Sequence, residues 1–243
     1  MFIIFPMAGK SERFKQKGYP TDKYRLPLGG LTVFEHAVIS FKAYFEEYIF
    51  LFIHSDKNNT KNFIQEKCQS MGLKKIRVIS LNQNTLGQAD TVYKGLKLDK
   101  ASQTEAMTIF NIDTFRPNFI FPKNLDLKKT DGYLEVFEGT GSNWSYVRPQ
   151  IGSNRLVAET AEKKIISNLC CTGLYYFREI RLFKNAFEKY SKDQHLQEYY
   201  VAPLYNYLIS DGLSIRYHKI PKTEVFFSGT PEEYKNILKV WGK

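Results

Sequence analysis

The sequence predicts an α/β fold: a mostly parallel sheet flanked by helices in the first half, with a more antiparallel second half. Three observations carry this expectation. Up to residue 113, short apolar runs alternate with helix-period stretches, the pattern of βαβ units. After Asp113 the rhythm changes to short candidate strands separated by Gly, Ser and Asn. The chain has 243 residues with 43% hydrophobic content, enough to bury a large core within one domain spanning 1–243. It shows no repeat, linker or low-complexity segment.

The elements follow in order. Residues 2–5 read as the first strand. Residues 33–41 read as a helix, with apolar side chains at Val33, Ala37, Val38 and Phe41, and residues 48–53 as the strand that closes a βαβ opening. A helix over 62–71 leads to a strand at 76–81, and one over 88–96 leads to "MTIFNID" at 107–113. Strands are expected at 133–137, 146–148, 156–160 and 172–177, then helices over 181–190 and 200–209. A strand at 214–218 and a last helix opened by "TPEEY" end the series.

The formal net charge of +10 favours anionic partners. The lysines are scattered, however, and no block of like charge resembles a nucleic-acid arm or a polybasic anchor. The charge alone does not choose a partner, and a solvated lysine-rich surface is the plainer reading; neither nucleic acid nor membrane is expected. The three cysteines are Cys68, Cys170 and Cys171. Neighbouring Cα atoms stand only about 3.8 Å apart, below the usual disulfide span, so the adjacent pair is badly placed to bridge. Reduced cysteines, with neither a signal-peptide pattern nor an apolar run of membrane length, predict a cytoplasmic protein. His36, His54, His195 and His218 are too dispersed to suggest a zinc site.

One stretch concentrates glycine, proline and cations: "FPMAGKSERFKQKGYPTDKYRLPLGG", residues 5–30. Ligands of parallel α/β sheets bind outside the carboxyl ends of the strands, where this loop must lie. Gly9 permits a close backbone approach, Ser11 keeps its side chain small, and the N–H groups around them can cradle phosphate oxygens. Arg13 adds a planar fork and Lys23 a flexible point charge, a pairing suited to a polyphosphate. The loop matches neither a Walker loop nor a G-x-G-x-x-G fingerprint, and composition alone favours a solvated basic loop.

"MAGKSERF", with Lys23 ten residues after Arg13 and then "LPLGG", resembles the signature of the nucleotidyltransferase family that includes sugar-1-phosphate nucleotidylyltransferases and cytidylyltransferases. "NQNTLGQADTVYKGL" at 82–96 resembles its nucleobase segment, and "NID" ending at Asp113 its strand-end metal aspartate. "ETAEKKIISNLCCTGLYYF" resembles its Glu-Lys substrate segment, and "SGTPEEY" its closing segment. "WSYV", "AEKK" and "EYYVAPLYNYL" resemble members associated with capsule or other surface polysaccharides.

The resemblance implies a Rossmann-like, GT-A-like nucleotidyltransferase fold. It also implies attack by a phosphorylated acceptor on the α-phosphorus of a nucleoside triphosphate, with release of pyrophosphate. An ionised phosphate nucleophile needs no general base, so catalysis is mainly positioning and charge neutralisation. By resemblance Arg13 grips the triphosphate, Lys23 stabilises the reacting phosphates, and Asp113 binds Mg²⁺. Ala8, Gly9, Lys10, Ser11, Gln83, Gly87 and Gln88 contact the nucleotide, and Glu159, Lys163 and Gly173 the acceptor. A sugar-1-phosphate is the expected acceptor; a phosphorylated polyol or amino alcohol joined to CTP is the alternative. Trp144 reads as packing first and as a substrate wall second, and Glu198 as a substrate contact or a helix start.

Two positions depart from the family pattern. Many members carry a second metal-binding aspartate two residues before the glycine of the closing Gly-Thr, where this chain has Phe227. Glu224, three residues earlier, would face the other side of a regular strand. Either one carboxylate suffices, or Glu159, Glu162 or another group contributes. Ser11 stands where many relatives have glycine. Two readings from other classes stay open at this level, a GT-A glycosyltransferase and a noncatalytic phosphate-ligand sensor; pyrophosphate release separates the transferase from both.

Overall fold

The computed structural model describes residues 1–192 and 197–241, and His195 lies outside them. Strand β1 (Phe2–Met7) leads into helix α1 (Glu12–Gln16), a two-residue hairpin of β2 (Pro27–Leu28) and β3 (Leu31–Thr32), and α2 (Val33–Ile39). Then come β4 (Ile49–Ser55), α3 (Thr60–Ser70), β5 (Ile76–Leu81), α4 (Gln88–Asp99), β6 (Met107–Phe110) and β7 (Thr114–Phe115). The second half runs β8 (Gly132–Glu138), β9 (Ser145–Pro149), β10 (Val157–Glu162), β11 (Leu169–Phe177), α5 (Ile180–Tyr190), α6 (Leu204–Ser210), β12 (Ile215–Lys219), β13 (Phe226–Phe227) and α7 (Pro231–Trp241).

The main sheet has nine strands, in the order β10-β9-β11-β6-β1-β4-β5, with β8 pairing to β11 and β12. The first-half strands β6, β1, β4 and β5 are parallel. Strands β8 to β11 pair antiparallel with one another and with β6, as the change of rhythm predicts. β12 instead joins β8 in parallel, because α5 and α6 carry the chain back across the sheet.

The central strands are buried on both faces, which explains their continuous apolar runs. Phe2 and Ile4 of β1 enter the layer beneath α4, α5 and α6, whereas Ile3, Phe5 and Met7 enter the opposite layer, with α2, α3 and α7. Phe5 meets Phe41, Phe50, Phe52 and Phe110 at ring-centroid distances of 5.2 to 6.3 Å. Full burial of one such side chain contributes about 1.5–3 kcal/mol.

Helix boundaries follow local chemistry. Thr32 and Glu35 form a reciprocal capping box on α2. Thr230 and Glu233 do the same for α7, whose first residue is Pro231. The helix expected over 200–209 begins only at Leu204, because Pro203 disfavours helical backbone in the residue before it. Glu224 is not on a strand either: it ends a 3-10 turn, Lys222–Glu224, and its carboxylate accepts from Arg116 Nη1 at 3.3 Å.

Candidate active site

The pairing of the central strands brings the predicted segments together. β1 and β6 are adjacent and parallel, with Phe2 opposite Met107 and Ile4 opposite Ile109, so the loops leaving both strands emerge side by side. One carries Ala8 to Ser11 and the other Asn111 to Asp113. β11 runs antiparallel to β6, which delivers Cys171 to Gly173 to the same end. The short pairing of β13 with β7 then brings the segment from Phe227 to Thr230 beside Asp113, where Ser228 N donates to Asp113 O at 2.8 Å.

These segments line one cleft of about 800 Å³, within the usual range for small-molecule sites. Ala8, Gly9, Lys10, Ser11, Arg13, Lys23, Gly87, Gln88, Asp113, Lys163 and Gly173 all stand in its wall. Gln83 and Glu159 do not. Gln83 is exposed beyond the end of β5, and the wall there is formed by Asn84 and Thr85. Glu159 pairs with Arg148 of β9. Glu162, three residues further along β10, lies on the opposite strand face and lines the cleft. The signal for Glu162 was present in its position directly before Lys163. Asn111, Ser145, Tyr175 and Glu233 also line the cleft, and sequence reasoning did not single them out.

At one end, Lys23 meets Asp113, and the loop after β1 and the short α1 bring Lys10 and Arg13 into the wall of the same cleft. Lys23 Nζ donates to Asp113 Oδ2, and its backbone N donates to Ser11 Oγ at 3.2 Å. Arg13 is exposed on the short α1. At the other end, Lys163 Nζ donates to the Tyr200 hydroxyl, which in turn donates to Glu198. Glu198 precedes the turn to α6 and faces the cleft rather than starting a helix. Glu162 accepts from Ser145 Oγ, and burial pushes its carboxyl above the ordinary range.

Two glycines sit at close approaches in this cleft, and at the first a side chain is excluded. At Gly87, φ is +105° and a Cβ would stand 2.6 Å from Tyr199 O and 2.8 Å from Glu198 Cγ. That fit lets Tyr199 N reach Leu86 O at 2.6 Å and Ala89 N reach Tyr199 O at 3.0 Å, so the start of α4 and the Glu198–Tyr200 segment are bonded backbone to backbone. At Gly229, a Cβ would stand 3.1 Å from Asp113 Oδ2 and 3.5 Å from Glu233 Oε2. Two carboxylates therefore share the space this glycine leaves. Burial, with the charge of Asp113 beside it, pushes the Glu233 carboxyl above its ordinary value.

Among the described residues, no group of three or more His, Cys, Asp or Glu side chains gathers around a metal position. Two hard oxygens beside a polyphosphate-sized cleft nevertheless fit a divalent cation that takes its other ligands from phosphates and water. Phe227 lines the cleft but contributes only its ring, packed 4.6 Å from Trp144 and 5.4 Å from Phe137 between centroids. The Lys222 ammonium stands 4.0 Å from the Phe227 centroid and 4.1 Å from that of Phe137. Trp144 is thus both packing and cleft wall. Among the described residues, no helix is long and apolar enough to cross a membrane.

Among solved structures, the chain is similar to a nucleoside-diphosphate-sugar pyrophosphorylase from Vibrio cholerae RC9, with 44% identity, 98% of this chain and 99% of that one covered, and a TM-score of 0.91. It shares its fold with the inositol-1-phosphate CTP transferase from T. maritima (12% identity, 98% and 95% covered, TM-score 0.73). A UDP-glucose pyrophosphorylase complexed with UDP-glucose also has this fold (14% identity, 99% and 98% covered, TM-score 0.75). No protein-family model matches the chain, and no curated protein does. The likeness visible in scattered segments of sequence extends, at 44% identity, through nearly the whole of both chains: this chain belongs to the sugar nucleotidylyltransferase family and is a nucleotidyltransferase.

Proposed function

We propose that the enzyme joins a nucleoside monophosphate from a nucleoside triphosphate to a sugar-1-phosphate, making an activated precursor for surface polysaccharide. The observation that carries this reading is the division of one cleft into two ends. Lys23 pairs with Asp113 at one end, in a wall that also carries Lys10 and Arg13, and Lys163 stands with Tyr200 and Glu198 at the other, where Glu162 and Tyr175 share Ser145. The first suits a triphosphate, the second a monophosphate bearing several hydroxyls.

In the reaction an acceptor phosphate oxygen bonds to the α-phosphorus while the bond to the leaving pyrophosphate breaks. No proton has to be removed from the nucleophile, in keeping with a cleft built from cations and carboxylates. Lys163 holds the acceptor phosphate, and Glu162 and Tyr175 receive the sugar hydroxyls. Lys23 leaves Asp113 for the phosphates when the triphosphate enters, and Arg13 grips the outer phosphates. Asp113 and Glu233 would hold Mg²⁺, which when bound neutralises phosphate charge. Three unbridged, buried cysteines accord with the reducing cytoplasm as the place of reaction.

A pyrophosphate-release screen tests the reading by crossing the four common ribonucleoside triphosphates and dTTP with sugar-1-phosphates, phosphorylated polyols and phosphocholine, with Mg²⁺ present. Turnover with a sugar-1-phosphate is expected. Turnover confined to a non-sugar phosphate would overturn the acceptor assignment and leave the enzyme class standing.

The two glutamates of β10 give a second test. Glu162→Gln should raise the acceptor KM about tenfold, the effect of weakening one charged hydrogen bond, whereas Glu159→Gln should leave it unchanged. Because burial raises the Glu162 carboxyl, wild-type acceptor affinity should fall, as pH is lowered, before ordinary carboxylates titrate. Glu162→Gln should flatten that limb. Equal effects of the two substitutions on KM would remove Glu162 from the acceptor site.

A further inference from the structure

Ser11 is held in a backbone conformation that disfavours it. Its φ and ψ are 54° and 33°, in the left-handed region, where a side chain crowds the following carbonyl. Glycine would meet the same turn without that crowding. The side chain offsets the strain in one visible way: its hydroxyl accepts the backbone N–H of Lys23 at 3.2 Å, across a separation of 12 residues. The backbone carbonyl of Ser11 meanwhile accepts from Phe14 N at 3.0 Å and Lys15 N at 3.1 Å, starting the helix that carries Arg13. One residue thus ties the turn after β1, the helix of Arg13 and the segment of Lys23. Residues 15–18, within the intervening stretch, are exposed, and the 3-10 turn that Lys23 opens is held on its other side by buried Tyr24, whose hydroxyl meets Thr60 Oγ1 at 3.0 Å, so the Ser11 hydroxyl joins that anchored turn to the loop after β1.

We infer that Ser11 is a positioning residue for Lys23: its hydroxyl fixes where the Lys23 backbone starts, and therefore where the ammonium can reach between Asp113 and the reacting phosphates. The inference rests on the reading of Lys23 as a phosphate-facing cation.

A double-mutant cycle tests it, with pyrophosphate release and thermal unfolding measured on wild type, Ser11→Gly, Lys23→Ala and the pair. Ser11→Gly removes the hydroxyl and relieves the backbone, so the fold should persist with Tm close to wild type. Its kcat should fall about tenfold, the scale of one lost hydrogen bond, with the acceptor KM unchanged. In the Lys23→Ala background the same substitution should cost nothing more, because the group it positions is gone. Equal losses from Ser11→Gly in both backgrounds, or wild-type turnover in the single variant, would overturn the inference. Failure of the underlying reading looks different: Lys23→Ala would itself turn over like wild type.

Discussion

Lys23→Ala and Arg13→Ala are each expected to lower kcat on the order of a hundredfold, about 3 kcal/mol of transition-state stabilisation, while the protein stays folded. The two cations are placed differently, and the stability readouts should differ accordingly. Arg13 is exposed, and its loss should leave stability within about 0.5 kcal/mol of wild type. Lys23 is half-buried and paired with Asp113, with side chains 26% and 14% exposed. Removing one partner of a pair this well covered leaves the Asp113 carboxylate unpaired, a cost of about 1–3 kcal/mol, so Tm should fall by about 2–12 °C with the protein still folded. Steady-state kinetics on both variants, alongside melting curves, checks this. Near-normal turnover in either would return that residue to the solvated surface, and a collapse of Tm in Lys23→Ala would make the lysine structural.

The alternating half of the fold was legible because its central strands are buried on both faces and its helices on one, so period and run length carry the information: the strand predicted over 48–53 appears as β4, with residues 50–54 buried. Short elements were not. β7 and β13 are two residues each and exist through pairing between positions more than a hundred residues apart, which no local pattern encodes. The late start of α6 was readable from Pro203 and was overridden by the apolar spacing of the residues around it. In the site, cations and glycines near strand ends could be located because the loops leaving adjacent parallel strands must meet. Glu159 was misplaced because choosing between it and Glu162 needs the phase of β10, and the register of that strand shifts between Val157 and Glu159. Glu233 was hidden by its local role: the signature T-x-x-E identifies a helix cap, and only the tertiary contact at Gly229 puts the same carboxylate beside Asp113.

Asp113→Asn should abolish most metal-dependent turnover, because it removes the charge while nearly preserving shape. The sharper measurement is a titration of Mn²⁺ as a paramagnetic stand-in for Mg²⁺, in the presence of a non-reacting triphosphate analogue. Affinity should fall by at least tenfold. Glu233→Gln should produce a smaller loss and leave the fold intact, since glutamine can still accept the Thr230 N–H that caps α7. Unchanged affinity in Asp113→Asn would make Asp113 a turn residue and put the metal elsewhere. Phe227→Asp adds a carboxylate to the cleft wall, but the Lys222 ammonium stands 4.0 Å from the ring being replaced. A carboxylate at that position gains a lysine partner before it meets a cation, so Phe227→Asp alone should leave Mn²⁺ affinity unchanged. Combined with Lys222→Met, it should tighten binding. If the single substitution tightens the metal as much as the pair does, Lys222 does not compete for that position, and the natural site is one carboxylate short of what its cleft accommodates.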